Sequence, residues 1–224
     1  MSTAPTVYIV DDDVSMRTAL GRLLSAKGYA TRSYGSAGEF LMAERADGPG
    51  CIVLDICMPG PSGLELHEAL ANDENSIPVI FLTGRGDIPM SVRAMKAGAV
   101  DFLTKPVKQE VLINAVAGAL SRDVKRRAAS EQRRVLRERY DTLTGREREV
   151  FLRVTQGKLN KQIAGELRIS ERTIKAHRAQ VMHKMCLRSV AALVRAADLL
   201  KSASDASADV SLPSLHQGAS SFHL

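Results

Sequence analysis

A chain of 224 residues is long for one compact unit and comfortable for two. Its formal net charge of +6 is unevenly divided: residues 1–120 hold 10 Lys/Arg against 14 Asp/Glu, and residues 121–224 hold 21 against 11. A basic second half behind an acidic first half points to a polyanionic partner for the second half alone, and no apolar run approaches the ~20 residues of a membrane span, so no membrane partner is expected. Cys51, Cys57 and Cys186 have neither metal-site nor redox-motif spacing, and the N-terminus lacks the pattern of a signal peptide. Both features fit reduced thiols in a cytoplasmic protein.

In chain order, the first half alternates strand and helix. The apolar run Val7 to Val10 ends in Asp11, Asp12 and Asp13, three carboxylates that repel one another unless a cation or solvent holds them. Val14 to Lys27 carries Leu20, Leu23 and Leu24 on one helical face and stops at Gly28. Ala30 to Tyr34 reads as an edge strand, and Ser36 with Glu39 has capping-box spacing for a short helix. Cys51 to Leu54 is a strand apolar on both faces; Asp55 closes it, and Pro59, Gly60, Pro61 and Gly63 force a turn. A helix follows from Gly63 to Asn72. The run Pro78 to Leu82 ends in Thr83 and Gly84, and Pro89 opens a helix through Ala97 on which Met90 and Met95 pack. Asp101 to Thr104 ends in Lys105 and Pro106, and Gln109 begins a fifth helix.

Five strand–helix units with short links predict a doubly wound parallel sheet with right-handed crossovers, in the flavodoxin-like order 2-1-3-4-5. In such sheets ligands bind outside the carboxyl ends of the strands. If these strands are neighbours, an acid cluster, a hydroxyl and an ammonium meet around Asp55.

This ordered set resembles the receiver domain of bacterial two-component response regulators. The residues that carry the resemblance are Val10-Asp11-Asp12, Asp55 to Gly63, Thr83-Gly84 and Lys105-Pro106, within about residues 5–120. Gly84 to Met90 and Ala94 to Phe102 further resemble the branch that includes FixJ and the styrene-response regulators. The resemblance implies that Asp55 is the phosphoacceptor. It implies Asp11 and Asp12 as the acidic pair at a Mg2+ ion, with Asp12, Asp55 and the backbone carbonyl of Cys57 as direct ligands. It implies Thr83 and Lys105 at the phosphoryl group, and Phe102 as an aromatic switch that follows Thr83. Magnesium suits such a site because it takes hard oxygen ligands and keeps several waters.

From Leu112 to about Tyr140 the sequence becomes helical and charged. Leu120, Val124 and Ala128 fall at four-residue spacing among Lys125, Arg126, Arg127, Arg133, Arg134, Arg137 and Arg139, and no Gly or Pro interrupts residues 119–139. The expectation is a helical linker over residues 121–137, its arginines a solvated face. The brief apolar repeat leaves a short dimeric coiled coil open.

Beyond it, Thr144 and Glu147 form a capping box for a helix ending near Gly157. Asn160 to Leu167 is a second helix, Arg168 to Ser170 a tight turn, Glu171 to Met185 a third helix capped by Ser170, and Ser189 to Leu200 a fourth. Two short helices joined by a three-residue turn, the second rich in Arg, Lys and His, read as a helix-turn-helix. Leu143 to Val150, Gly157, Asn160 to Ala164 and Ile169 to His177 resemble the LuxR-type DNA-binding domain, over about residues 138–200. One departure is Leu159, where a small hydroxyl residue is usual; the expectation is that Asn160 caps instead and shifts the helix start by one residue.

On the recognition helix, Ile174 and Val181 face the core. Lys175, Ala176 and Ala179 match base-edge positions of the family. Only Lys175 can hydrogen-bond there, while the alanines suit thymine methyl groups. Lys161, Arg172, Thr173, His177 and Arg178 complete the expected DNA-binding set, with Lys161, Arg172, His177 and Arg178 at phosphates. For His177 a helix-packing role is the open alternative. Residues 201–224, rich in Ser and Ala, read as a disordered tail.

Together these resemblances imply a DNA-binding transcriptional regulator under phosphorylation control. Its partners are a sensor histidine kinase, double-stranded promoter DNA, a second copy of itself once phosphorylated, and RNA polymerase. Two other classes remain open at this point. An aspartyl-phosphate phosphohydrolase needs a second acid two residues after Asp55, where Cys57 stands. A constitutive DNA-binding protein with a vestigial receiver is opposed by the intact set Asp11, Asp12, Asp55, Thr83 and Lys105.

Overall fold

The computed structural model describes residues 4–71, 76–84 and 88–208. It divides into two compact units, Met1–Ala128 and Ala129–Leu224.

The first unit runs β1 (Thr6–Val10), α1 (Val14–Ala26), β2 (Ala30–Tyr34), α2 (Ala37–Met42), β3 (Gly50–Leu54), α3 (Gly63–Ala71), β4 (Val79–Thr83), α4 (Ile88–Lys96), β5 (Asp101–Thr104) and the start of α5 (Gln109–Asp141). The sheet is five-stranded and parallel in the order β2-β1-β3-β4-β5, as the alternation of runs predicts. β1, β3 and β4 are buried along their whole length, which is why they read as unbroken apolar runs, whereas β2 and β5 are edges and carry exposed residues. The period-two pleat splits the core into two layers. Tyr8, Val10, Ile52, Leu54 and Phe81 face α2, α3 and α4; Val7, Ile9, Val53, Ile80 and Leu82 face α1 and α5.

The ends of these elements are set by local chemistry. Asp13 is the N-cap of α1: its carboxylate accepts from the Ser15 and Met16 N–H groups. Gly28 follows that helix at φ 86°, a left-handed conformation that favours glycine. Ser36 caps α2 as expected, but Glu39 reaches back to the Gly35 N–H, one residue short of a true capping box.

α5 is one helix of 33 residues. The four-residue stripe expected along it is buried only at Leu120; Val124 and Ala128 are exposed, and the buried residue is Asp123. The reason is a set of polar bonds. Asp123 accepts from the Gly50 N–H at 3.0 Å and from Arg126 and Arg127 at 2.6 and 2.8 Å, so two of the arginines read as a solvated face pair with a buried acid instead.

In the second unit, Leu136 and Tyr140 of α5 join a core with α6 (Gly145–Thr155), α7 (Asn160–Leu167), α8 (Glu171–Lys184) and α9 (Val190–Ala208). The Thr144–Glu147 capping box is complete. α7 begins at Asn160 with Leu159 at its N-cap, so Asn160 does not cap and the start does not shift. Leucine has no acceptor, and only half a box survives: Gln162 accepts the Leu159 N–H at 2.8 Å. α9 continues beyond Leu200 through Ala208, into the stretch read as a disordered tail; three alanines there favour helix, and no Gly or Pro breaks it before Ala208. Residues 209–224, and Asn72 at the expected end of α3, lie outside the described residues. Among those described, no helix is long and apolar enough to cross a membrane.

His67 on α3 departs from ordinary packing. It is 6% exposed, and neither ring nitrogen forms a hydrogen bond. Its ring meets that of Phe81 edge-on at 5.5 Å. Burial pushes its pKa below the usual histidine value; the Ala97 backbone, short of a formed bond, and the Glu68 charge offset only part of this. A folded-state pKa below the unfolded one means the unfolded chain takes up the proton first. Stability therefore falls as pH drops through the unfolded value near 6.5. His67→Leu, which removes both unpaired atoms, should be neutral to stabilising by about 1 kcal/mol above that pH. Below it, wild type should lose more stability than the variant. Thermal melting on both sides of pH 6.5 checks this, and parallel losses in the two proteins would contradict it.

Candidate functional sites

At the carboxyl end of the sheet, backbone bonds lock the strand ends together. The Asp55 N–H donates to the Val10 carbonyl at 2.8 Å, and the Lys105 N–H to the Thr83 carbonyl at 2.8 Å. Asp11, Asp55, Thr83 and Lys105 are therefore held by neighbouring strands and do not depend on loop order.

Asp11 and Asp55 are buried and Asp12 is exposed; one carboxylate oxygen from each lies within 4.8 Å of the others. The Lys105 ammonium bridges the two buried members, at 2.6 Å from Asp11 Oδ2 and 2.9 Å from Asp55 Oδ2. Burial lowers the Lys105 pKa, but hydrogen bonds and charge from Asp11 and Asp55 outweigh it. The net shift is upward, and the group stays cationic throughout the neutral range. One ammonium against three carboxylates leaves surplus negative charge, and the donors are hard oxygens. The residues present thus fit a divalent cation.

Asp13 does not belong to the cluster: its carboxylate caps α1, while its N–H donates to Asp11 Oδ1 at 2.9 Å. Sequence reading also missed Arg17, whose Nη1 donates to the Asp11 carbonyl at 2.5 Å and clamps the loop after β1. Its only sequence signal is position in the first turn of α1.

The loop after β3 is shaped by close approach. The Cys57 N–H donates to Asp55 Oδ1 at 3.2 Å, and its exposed thiol lies 3.9 Å from the buried Thr83 hydroxyl. Ser62 and Glu65 cap each other at the start of α3. Gly60 sits at φ 83°. A Cβ on Gly63 would lie 2.2 Å from the Asp55 carbonyl oxygen, so only glycine fits there. Phe102 on β5 is half-buried, its ring 6.4 Å from Phe81.

In the second unit, α7 and α8 form the predicted helix pair. Ile174 and Val181 point into the core, leaving Arg172, Thr173, Lys175, Ala176 and Ala179 exposed on one side of α8 and Lys161 exposed on α7. His177 and Arg178 are half-buried, and Arg178 Nη1 donates to Asn160 Oδ1 at 2.6 Å. The Thr173 hydroxyl shares a hydrogen bond with Ser170 at 2.8 Å, inside the N-cap of α8.

Comparison with known proteins follows the same division. The family described as response regulator receiver domain matches residues 7–117, and that of bacterial regulatory proteins, luxR family, matches residues 141–197. Nodulation protein W of Bradyrhizobium diazoefficiens is 46% identical over 199 residues, spanning 89% of this chain and 88% of that protein. The transcriptional regulatory protein FixJ of Rhizobium meliloti is 43% identical over 192 residues, spanning 86% of this chain and 94% of that protein. A solved structure of the response regulator StyR superposes with a TM-score of 0.77 at 45% identity, covering 88% of this chain and 99% of that one.

The crowding at Gly63 gives a test of the Asp55 loop. Gly63→Ala should destabilise the first unit by about 1–3 kcal/mol, because backbone and not a flexible side chain must move. If the cluster binds a divalent cation, Mg2+ should raise the melting temperature of the wild type, and Gly63→Ala should weaken that rise. Gly118→Ala, where an added Cβ meets nothing within 4 Å, is the control. Melting of Gly63→Ala at the wild-type temperature would show that the loop has room the geometry denies it.

Proposed function

We propose a phosphorylation switch at Asp55 for this chain, which belongs to the FixJ-like response regulators, a receiver joined to a LuxR-type DNA-binding domain. It is a regulator of transcription. A receiver implies a histidine kinase as partner, and the LuxR-type domain implies DNA. The observation that carries the residue assignment is the Lys105 ammonium held between Asp11 and Asp55 at a cation-ready cluster.

In this reading an Asp55 carboxylate oxygen attacks the phosphorus of the kinase's phosphohistidine. The new O–P bond replaces the N–P bond, and the imidazole nitrogen takes up a proton. Asp12, Asp55 and the Cys57 carbonyl would hold Mg2+, with Asp11 as the second acid of the pair. When bound, the ion offsets charge on the transferring phosphoryl group. Lys105 gives up part of its contact with Asp55 to pair with the phosphoryl oxygens, and the Thr83 hydroxyl donates to them. Phe102 follows Thr83 inward.

The consequence is a change of surface on α4, where Ile88, Val92 and Met95 are exposed. That apolar stripe supports pairing of two receivers. A dimer presents two recognition helices to half-sites about one DNA turn apart. Lys175 reads base edges there, Ala176 and Ala179 touch methyl groups, and Lys161, Arg172, His177 and Arg178 position the helix on phosphates, with Thr173 beside them at the start of α8. The protein acts in the cytoplasm, with RNA polymerase as a further contact at the promoter.

Acetyl phosphate with Mg2+ is the direct test of the acceptor. The wild type should take up one phosphoryl group, seen as a mass increase by intact-protein mass spectrometry, and Asp55→Asn should take up none. Equal labelling of Asp55→Asn would refute the assignment.

A further inference from the structure

The cations of α7 and α8 fall into two classes by partner. Lys184 is spent on Glu147 at 2.7 Å, just as Lys158 and Arg153, between α6 and α7, are spent on Glu166 at 2.5 and 3.0 Å. These pairs are discharged and belong to the scaffold. Lys161, Arg172, Lys175 and Arg178 have no carboxylate partner among the described residues.

Arg178 stands apart within the second class. Lys161, Arg172 and Lys175 are exposed, whereas Arg178 is half-buried and its guanidinium is held by a neighbouring side chain. What fixes it is the Asn160 amide, 18 residues earlier, whose Oδ1 accepts from Nη1 at 2.6 Å. A neutral acceptor holds a guanidinium in one geometry without cancelling its charge; a carboxylate in the same place would do both. Four of the five guanidinium N–H groups remain beyond that bond.

Asn160 has no competing local duty. It is the first residue of α7, the N-cap is Leu159, and the Leu159 N–H is taken by Gln162. An asparagine at a helix start ordinarily caps. Here its side chain is turned to the neighbouring helix instead.

We propose that Asn160 is a positioning residue for DNA binding: it pre-orders the Arg178 guanidinium, with its charge intact, for a phosphate of the DNA backbone. The proposal rests on the reading of Arg178 as a phosphate contact. Ordering a long side chain before binding removes a cost otherwise met on association, worth about 2- to 12-fold in affinity for one such chain.

The test uses the full-length protein and a labelled duplex of random sequence, followed by fluorescence anisotropy over a range of salt concentrations. Phosphate contacts act on every sequence, so no operator is needed. Arg178→Ala should weaken binding and make the salt dependence shallower by about 0.9 in log–log slope. Asn160→Ala should weaken binding by about 2- to 12-fold with the slope nearly unchanged, since the charge remains. It should have no further effect in an Arg178→Ala background. Asn160→Asp keeps an acceptor for Arg178 but neutralises it, so it should bind weakly with the shallower slope while its helices, by circular dichroism, match wild type.

Wild-type binding by Asn160→Asp, or an equal loss from Asn160→Ala with and without Arg178, would overturn the positioning role while leaving the phosphate contact standing. Unchanged binding by Arg178→Ala would overturn the phosphate reading itself, and this proposal with it.

Discussion

The ammonium of Lys105, shared by Asp11 and Asp55 at 2.6 and 2.9 Å, is the interaction on which the receiver depends. Two buried carboxylates stand side by side, with a third carboxylate oxygen within 4.8 Å, and a cation between them offsets their mutual repulsion. Removing one partner from a buried ion pair typically costs about 3–5 kcal/mol, because the charge left behind has no compensation. The fold meets this with backbone bonds that bring the ends of β1, β3, β4 and β5 to one place, so the cation arrives on a rigid strand end. The pairing remains incomplete, since surplus negative charge is left for a divalent ion. The cluster can therefore hold a divalent cation beside the ammonium, and in the proposed function it also accepts a phosphoryl group.

Much of this was legible in the sequence because the informative residues close apolar runs. Val10-Asp11, Leu54-Asp55, Leu82-Thr83 and Thr104-Lys105 each mark a strand end, and a parallel sheet has one functional edge. The sheet order and the meeting of Asp11, Asp12, Asp55, Thr83 and Lys105 followed from that pattern. The fate of Asp13 did not: from sequence it is a third acid in a row, and only the backbone path shows it turned to cap α1. His67 and Asp123 were equally hidden. A polar residue on a helix reads as solvent-facing, and neither the Phe81 ring against His67 nor the Gly50 N–H against Asp123 lies near it in sequence.

The helical half shows the same limit in another form. Caps encoded within three residues, such as Thr144 with Glu147 or Ser170 with Thr173, were readable because both partners are local. Leu159 broke the local rule, and the expected repair by Asn160 was wrong because a distant group, Arg178, had the stronger claim on that amide. The end of α9 was missed for a different reason: Ala and Ser are compatible with helix and with disorder, and composition alone does not choose. Partner identity also sorts the basic residues. Arg153, Lys158 and Lys184 pair with Glu166 and Glu147 across elements of the domain, whereas the cations proposed to meet DNA have no acid opposite them among the described residues.

In the proposed function, events at Asp55 control the association of the protein with itself and with DNA. Beryllofluoride, which mimics a phosphoryl group on a carboxylate, reaches that point without a kinase. Sedimentation of the full-length protein with Mg2+, with and without beryllofluoride, measured beside its affinity for DNA selected by the protein itself, is the decisive measurement. Control by Asp55 requires a shift from monomer to dimer together with tighter binding of the selected DNA, through the effectively intramolecular docking of the second recognition helix. Unchanged mass and unchanged DNA affinity in the presence of the mimic would contradict it.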